Sequence, residues 1–389
     1  MVLKLAQRMS LLEPYLFAEL DKKKTQAREK GVDVISLSIG DPDLPTPKEI
    51  QDVAKEALTH PENHRYPDYA GSEKFRKAAS VWMKRRFGIE LDPEREIVSL
   101  IGSKEGIFNT SFVLAQNDDA ILCPEPGYPV YAISARLAGA EPSFMPLLKE
   151  NGFLPELSSI PGQVARKAVA MWINYPNNPT GAVASEDFLK QAIEFAHEND
   201  LVLCSDAAYS EICFDGYKAP SILELPGAMD VAVEFHSMSK SYNMTGWRVG
   251  FVAGRADVVQ ALAQYKSNMD SGVFGAVQDA AIRAMELWPA PVSEVCRVYK
   301  RRRDILVSAL EKAGFVPGRP LATFYIWMKV PGGNDKEFCE RLIDEVGVLA
   351  TPGSGFGPSG IGYVRFSLTV HDDRLQQAAE RICTMDIVG

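Results

Sequence analysis

The sequence predicts an α/β protein: a large domain built on a mostly parallel β-sheet flanked by helices, joined to a smaller α+β domain. Three observations carry this. Short apolar runs recur through the middle of the chain, at Ala120–Cys123, Ala168–Ile173, Leu201–Cys204, Val231–Phe235 and Val249–Ala253. Stretches with helical periodicity separate them. Beyond residue 288 the pattern changes to a long basic helix followed by strands of a different character.

The apolar runs are four to six residues long and lack polar alternation, so they read as strands buried on both faces. The clearest helix follows Ser185, a suitable N-cap. Glu186 and Asp187 suit a helix N-terminus, and Phe188, Ala192, Phe195 and Ala196 recur at helical spacing. Strand–helix–strand repeated in this way predicts a mostly parallel sheet. Val295–Lys312 is a long basic helix, stopped near Gly314. Phe324–Met328 and Tyr363–Leu368 read as strands of a separate, half-exposed sheet. The large domain is therefore expected at 46–288, and the small domain combines 1–45 with 289–389. The basic run Lys300–Arg303 reads as a solvated helix face rather than a nucleic-acid contact.

Composition narrows the function. The 389 residues are 46% hydrophobic and 24% charged, with 42 Lys and Arg against 51 Asp and Glu, a formal net charge of −9. That balance argues against nucleic-acid backbone binding and leaves small molecules open. No run of about 18 apolar residues exists to span a membrane. Lys4, Arg8 and Glu13 interrupt the apolar N-terminus, which also lacks a small-residue cleavage site and does not read as a secretory signal. The six cysteines show neither C-x-x-C nor metal-ligand spacing, so no metal is expected. They read as reduced thiols of a cytoplasmic protein.

Ligands of open α/β sheets sit beyond the carboxyl ends of the strands. There the chain places Asn178, Asp206 and Tyr209, then Ser237, Ser239, Lys240 and Arg248, with Gly102-Ser103-Lys104 ahead of the strand at 120. A lysine among serines and near an arginine suits a Schiff-base amine beside an anion site. Gly102-Ser103-Lys104 ahead of a helix offers backbone N–H groups to a phosphate. Asp206 suits a protonated ring nitrogen, while Asn178 and Tyr209 suit a phenolate oxygen. Phosphate, pyridinium and phenolate together describe pyridoxal 5′-phosphate. Each element alone is weak: a strand-end Asp is usually a cap, and NNPTG is a plausible turn. The ordered set is specific.

That ordered set resembles the fold-type I, class I/II aminotransferases, from Ile35–Asp43 (ISLSIGDPD) to Tyr363–Thr369 (YVRFSLT). Within that superfamily GDPDLPTP, IGSKEGI, PGYPVY, NYPNNPTGAV, DAAYSEI, EFHSMSKSYNMTGWRVG and SNMDSGVF are similar to the bacterial LL-diaminopimelate aminotransferase group. The resemblance implies a seven-stranded sheet and a role for each residue. Lys240 would bond to the cofactor and then carry the proton between substrate Cα and cofactor C4′. Asp206 would keep the ring nitrogen protonated, and Tyr209 with Asn178 would bond its phenolate oxygen. Tyr128 would stack on the ring. Ser103, Lys104, Ser237, Ser239 and Arg248 would hold the phosphate, with Tyr66 reaching the phosphate of a partner subunit in a homodimer with shared active sites. Arg365 would clamp the substrate α-carboxylate, helped by Gly40 and Asn178.

The reaction implied is ping-pong amino transfer between an amino acid and a 2-oxo acid. The substrate pair would be LL-2,6-diaminopimelate, on the tetrahydrodipicolinate side, with glutamate and 2-oxoglutarate, in lysine biosynthesis. Asp68 is the candidate for the distal ammonium and is equally read as an ordinary turn residue; Lys104 would help with an acidic side chain. Tyr15-Leu16-Phe17 would close over the site or simply pack on the large domain. The alternative is an aspartate or alanine aminotransferase using 2-oxoglutarate. A C–S lyase or cyclopropane-forming synthase on the same scaffold is a further reading, as is a non-enzymatic regulator, disfavoured because the catalytic fold consumes the chain. A nicotinamide enzyme is disfavoured because no G-x-G-x-x-G follows an early strand.

Overall fold

Strands buried on both faces must leave alternate side chains in two different cores, and the fold is built on that rule. The structure, a computed structural model, describes residues 5–12 and 16–385, with the backbone alone for 16–21. Tyr15 and the side chains of Leu16 and Phe17, expected near the site, lie outside the described residues. Strand β1 (Ile35–Ser36) precedes seven strands of one sheet: β2 (Ile97–Leu100), β3 (Ala120–Glu125), β4 (Glu141–Pro146), β5 (Ala168–Ile173), β6 (Val202–Asp206), β7 (Ala232–Ser237) and β8 (Gly250–Gly254). Their order is β2-β8-β7-β6-β5-β3-β4.

Alternation works as expected. Ala120, Leu122, Met171, Ile173, Leu203, Phe251 and Ala253 pack with the helices Glu73–Phe87, Glu186–Glu198 and Gly275–Leu287. Ile121, Cys123, Ala170, Trp172, Cys204, Phe235 and Val252 face the opposite core, with Ser103–Leu114, Val130–Ala138 and Ala256–Met269. Ser185 caps its helix by accepting the Phe188 amide at 3.2 Å. The sequence reading missed β2, a short edge strand of four residues, and β4, which has prolines at two of its six positions and sits at the other sheet edge, where missing N–H donors are tolerated.

Pairing is parallel from β4 through β3, β5, β6 and β7, and antiparallel on both sides of β8. The reason lies in residues 238–249, which stay at the edge where β7 ends. The chain therefore re-enters the sheet from that edge and runs backward. Strands also run further than the apolar runs: Asp206 and Ser237 are the last residues of their strands. Main-chain pairing continues whatever the side chain.

A second sheet holds β9 (Tyr325–Lys329), β11 (Thr351–Pro352) and β12 (Tyr363–Ser367), while β10 (Val348–Leu349) pairs in parallel with β1. This sheet is not half-exposed as expected. Ile326, Met328, Val364 and Phe366 pack into an apolar cluster with the helices Ala290–Lys312 and Asp372–Ile382. The other face, with Tyr325 and Arg365, closes over the edge of the large sheet instead of meeting water. A second expectation also fails. Lys300 and Arg301 are solvated, each 46% exposed, but Arg302 and Arg303 are 1% exposed and ion-paired. At about 100° per residue, four consecutive helical residues cannot share one face.

One buried charge cluster joins the helices beneath the site. Lys266, fully buried, donates to Glu105 at 2.8 Å and Asp270 at 3.0 Å. Glu105 in turn accepts the Ile101 amide at 3.1 Å, so the cluster anchors the turn before Ser103. Removing the cation leaves two carboxylates in a low-dielectric site. Lys266→Met should therefore cost about 3 kcal/mol, read as a lowered urea midpoint; an unchanged midpoint would show that the cluster bears no such load.

Candidate active site

The reversal of β8 brings together residues far apart in sequence. Leu100, at the end of β2, pairs with Gly250, at the start of β8, and Gly250 pairs with Ser237, at the end of β7. Three strand ends, and the two turns that leave or enter them, therefore meet at one edge. Gly102 is the residue before the helix Ser103–Leu114 and adopts φ 74°, a left-handed conformation glycine accepts freely. A Cβ there would lie 2.2 Å from Arg248 Nη2. The glycine thus lets the guanidinium approach the helix N-terminus, where backbone N–H groups and the helix dipole favour an anion. Lys104 stands beside it, its amine lowered by burial and then by the Arg248 charge. Ser237 Oγ accepts the Ser239 amide at 3.2 Å, which fixes both serines at the start of the short helix Met238–Ser241.

Lys240 lies in that short helix, and its Nζ donates to the Gly40 carbonyl at 3.1 Å. Its pKa is pulled down to about 8, first by burial, then by repulsion from Arg248 and Arg365 against the attraction of Asp41 and Asp206. An amine so placed is a free base at far lower pH than an ordinary lysine, the condition for a nucleophile or a proton carrier.

Asp206 is fully buried. It accepts the Tyr131 hydroxyl at 2.7 Å and the Ala208 amide at 3.2 Å. Burial raises its carboxyl pKa, opposed by those two bonds and by the Lys240 charge. Tyr131 is held in turn by stacking on Trp172, with ring centroids 5.0 Å apart. Tyr128, one turn earlier, meets Tyr131 edge to face at 5.8 Å. Both follow β3, and Asn178 follows β5. The next two strands of the chain, β4 and β5, pair on opposite sides of β3, so this is the sheet's switch point, where a ligand crevice is expected.

The second sheet supplies the lid of the crevice. Arg365, 1% exposed, donates to Asn178 Oδ1 at 2.7 Å and to the Ser38 carbonyl at 2.6 Å. The rings of Tyr325 and Phe356 flank its guanidinium at 4.2 and 4.7 Å. Tyr325 also shares a hydrogen bond with Tyr209 at 3.1 Å. A Cβ on Gly40 would fall 1.9 Å from the Tyr325 hydroxyl oxygen, so that position admits glycine alone. Two sequence-predicted residues stand apart. Tyr66 is 85% exposed. Asp68 accepts the Ala70 amide at 3.0 Å and lies 3.8 Å from Arg76, as a turn residue does.

Sequence reasoning missed Tyr131, Tyr325 and the Ser38 carbonyl. Tyr131 sits three residues past Tyr128 in the same PGYPVY string, and its place on the buried helix face was the available signal. Tyr325 reads as an ordinary strand residue, and a backbone carbonyl has no sequence signature.

Residues 32–382 match the family model of aminotransferase class I and II. A protein of Aquifex aeolicus (strain VF5) named LL-diaminopimelate aminotransferase is 53% identical over 378 residues, covering 97% of this chain and 98% of that protein. A protein of Syntrophobacter fumaroxidans with the same name is 52% identical, covering 97% of each. The substrate-bound structure of BacF from Bacillus subtilis superposes with a TM-score of 0.94 at 34% identity, covering 98% of both chains. The matched span runs from before Gly40 to beyond Arg365 and so takes in every turn of this edge: the chain belongs to the class I and II aminotransferases.

Proposed function

We propose that this enzyme uses pyridoxal 5′-phosphate to move an amino group between LL-2,6-diaminopimelate and the glutamate/2-oxoglutarate pair, as a homodimer in the cytoplasm. The observation that carries the chemistry is the buried Lys240 amine, set between the Arg248 anion cradle and the Asp206 carboxylate. The substrate rests on relatives of that name, similar to this chain at 53% and 52% identity.

The residues fit the cofactor. The space that a Cβ on Gly102 would fill is taken by the Arg248 guanidinium. With the amides at the start of the helix Ser103–Leu114, the Ser103, Ser237 and Ser239 hydroxyls and Lys104, it would make a donor set suited to a phosphate dianion. Asp206 is a buried carboxylate that burial pushes toward neutrality, and a protonated ring nitrogen would restore its charge. When bound, pyridoxal phosphate supplies an electrophilic carbon for the amine and a protonated ring that accepts the electron pair left at Cα.

The chain's own residues do the rest. Arg365 holds the substrate α-carboxylate by its guanidinium fork, with Asn178 alongside. The crevice walls, Tyr325 and Phe356, exclude water from that ion pair. With the cofactor bound, Lys240 Nζ would take the proton from the substrate Cα and return it on the cofactor side. Asp206 holds the ring-nitrogen proton, and Tyr131 keeps Asp206 in place. Tyr209 and Asn178 offer neutral donors to the phenolate oxygen, and Tyr128 supports the ring. The second half-reaction reverses these steps on 2-oxoglutarate. Tyr66, exposed on its turn, serves the site of the second subunit, with Asp68 and Lys104 at the far end of the substrate. We take 46–288 as the large domain and 1–45 with 289–389 as the small one; the pairing of β1 with β10 supports this.

Three outcomes are expected. Borohydride reduction of the yellow holoenzyme should leave a covalent pyridoxyl group on Lys240, seen by peptide mass spectrometry; an unmodified Lys240 would sink the assignment. The free-amine fraction of Lys240 rises with pH through its value of about 8. Capture of pyridoxal phosphate by apoprotein should thus accelerate across roughly pH 7–9 and level off above, followed by stopped-flow absorbance; a flat profile counts against it. As donors to 2-oxoglutarate, LL-diaminopimelate should turn over at least about tenfold more efficiently than aspartate or alanine, a gap of roughly 1.4 kcal/mol. Robust aspartate turnover without diaminopimelate turnover would transfer the assignment to an aspartate aminotransferase.

A further inference from the structure

Residues 38–43 cross between the two sheets without regular structure and touch the reacting centre twice. The Gly40 carbonyl accepts Lys240 Nζ at 3.1 Å, and the Ser38 carbonyl accepts Arg365 at 2.6 Å. Asp41 is the strongest charge drawing the Lys240 amine back toward protonation. With no ladder of its own, the segment takes its position from side chains. Thr351 donates to the Ser38 carbonyl at 2.9 Å, and Thr369 to the Ile39 carbonyl at 2.8 Å. Asp43 is gripped by a two-pronged fork from Arg302, Nη1 to Oδ1 at 2.6 Å and Nη2 to Oδ2 at 2.9 Å.

Arg302 is itself rigidly held. It lies in the helix Ala290–Lys312, is 1% exposed, and donates further to Asp372 at 2.7 Å and to the Leu368 carbonyl at 3.0 Å. Leu368 directly follows β12, the strand that carries Arg365. One guanidinium therefore ties the far end of the segment to the strand of the carboxylate clamp. Tyr325 blocks movement the other way, because its hydroxyl fills the space beside Gly40.

We propose that Arg302 is a positioning residue for amino transfer: by gripping Asp43 it sets where the Gly40 and Ser38 carbonyls stand, and so where Lys240 Nζ and the Arg365 guanidinium point. This rests on the roles given above to Lys240 and Arg365. A planar fork fixes a carboxylate in direction as well as distance, which an ammonium cannot do. Small displacements at this range matter, since a misplacement of about 1 Å can cost on the order of a hundredfold in rate.

Two variants of the holoenzyme test it. Asp43→Asn keeps the size of the side chain and leaves Arg302 bonded to Asp372 and Leu368, so the fold has little reason to fail. Its KM for the amino donor should rise about tenfold through misdirected Arg365, with a smaller fall in kcat and a urea midpoint close to wild type. Arg302→Lys should show the same KM-weighted loss, and the double variant should be no worse than the poorer single one, because both remove one interaction. Wild-type kcat and KM in Asp43→Asn, or additive losses in the double variant, would overturn the proposal. The borohydride adduct on wild-type Lys240 separates the two claims. Its absence refutes the underlying site reading, whereas its presence with unaltered Asp43→Asn kinetics refutes the role of Arg302 alone.

Discussion

A sheet covered on both faces leaves polar chemistry one place to gather, the edge beyond its strand ends. Every interior strand of the seven-stranded sheet has apolar side chains packed on both faces and its main chain paired on both sides. Polar groups on those faces need partners supplied from within the fold, as Glu234 on β7 has in Ser205, Ser221 and the Ile222 amide. At the edge the ladder stops, and turns can present side chains to a crevice. The arrangement of Asp206, Ser237, Lys240, Asn178 and Tyr128 follows from that constraint, as does the need for a second sheet to close the crevice from above.

The same geometry explains how a chain of net charge −9 holds a positive site. The acidic excess lies mostly at the surface, while Arg248, Lys104, Lys240 and Arg365 converge at the edge. Those cations repel one another, and burial adds to the cost of keeping them charged. In Lys240 the result is an amine held near 8. Other buried cations are treated differently: Lys266 and Arg302 each meet two carboxylates and stay in place. Pairing a cation with carboxylates makes it structural. Surrounding it with other cations keeps it reactive.

Much of the fold and the site was legible in the chain. The strands at 168–173 and 250–254 appear within a residue of where their apolar runs predict, because a strand buried on both faces has an unambiguous composition. The capped helix after Ser185 was equally plain. Legibility failed where one residue's environment depends on a distant element. The run Lys300–Arg303 looks uniformly solvated, yet half of it is buried by helix rotation against residues some 70 to 260 positions away. β12 looks half-exposed because its second face packs on a domain the local pattern cannot see. Tyr131 closes the PGYPVY string without announcing a role and Tyr325 carries no motif; their roles come from hydroxyls aimed at Asp206 and Tyr209.

The sequence by itself determined the α/β class, the order of functional residues at the strand ends and the kind of anion they suit. Those properties depend on side-chain type and local periodicity, which are written residue by residue. The tertiary structure alone decided the antiparallel return of β8, which sets Arg248 against Gly102, and the closure of β12 over the edge, which sets Arg365 against Asn178. It also decided that an arginine in a basic run would reach across to hold the Gly40 segment. Such contacts join positions 187 and 259 residues apart, and only packing in three dimensions selects which of them form.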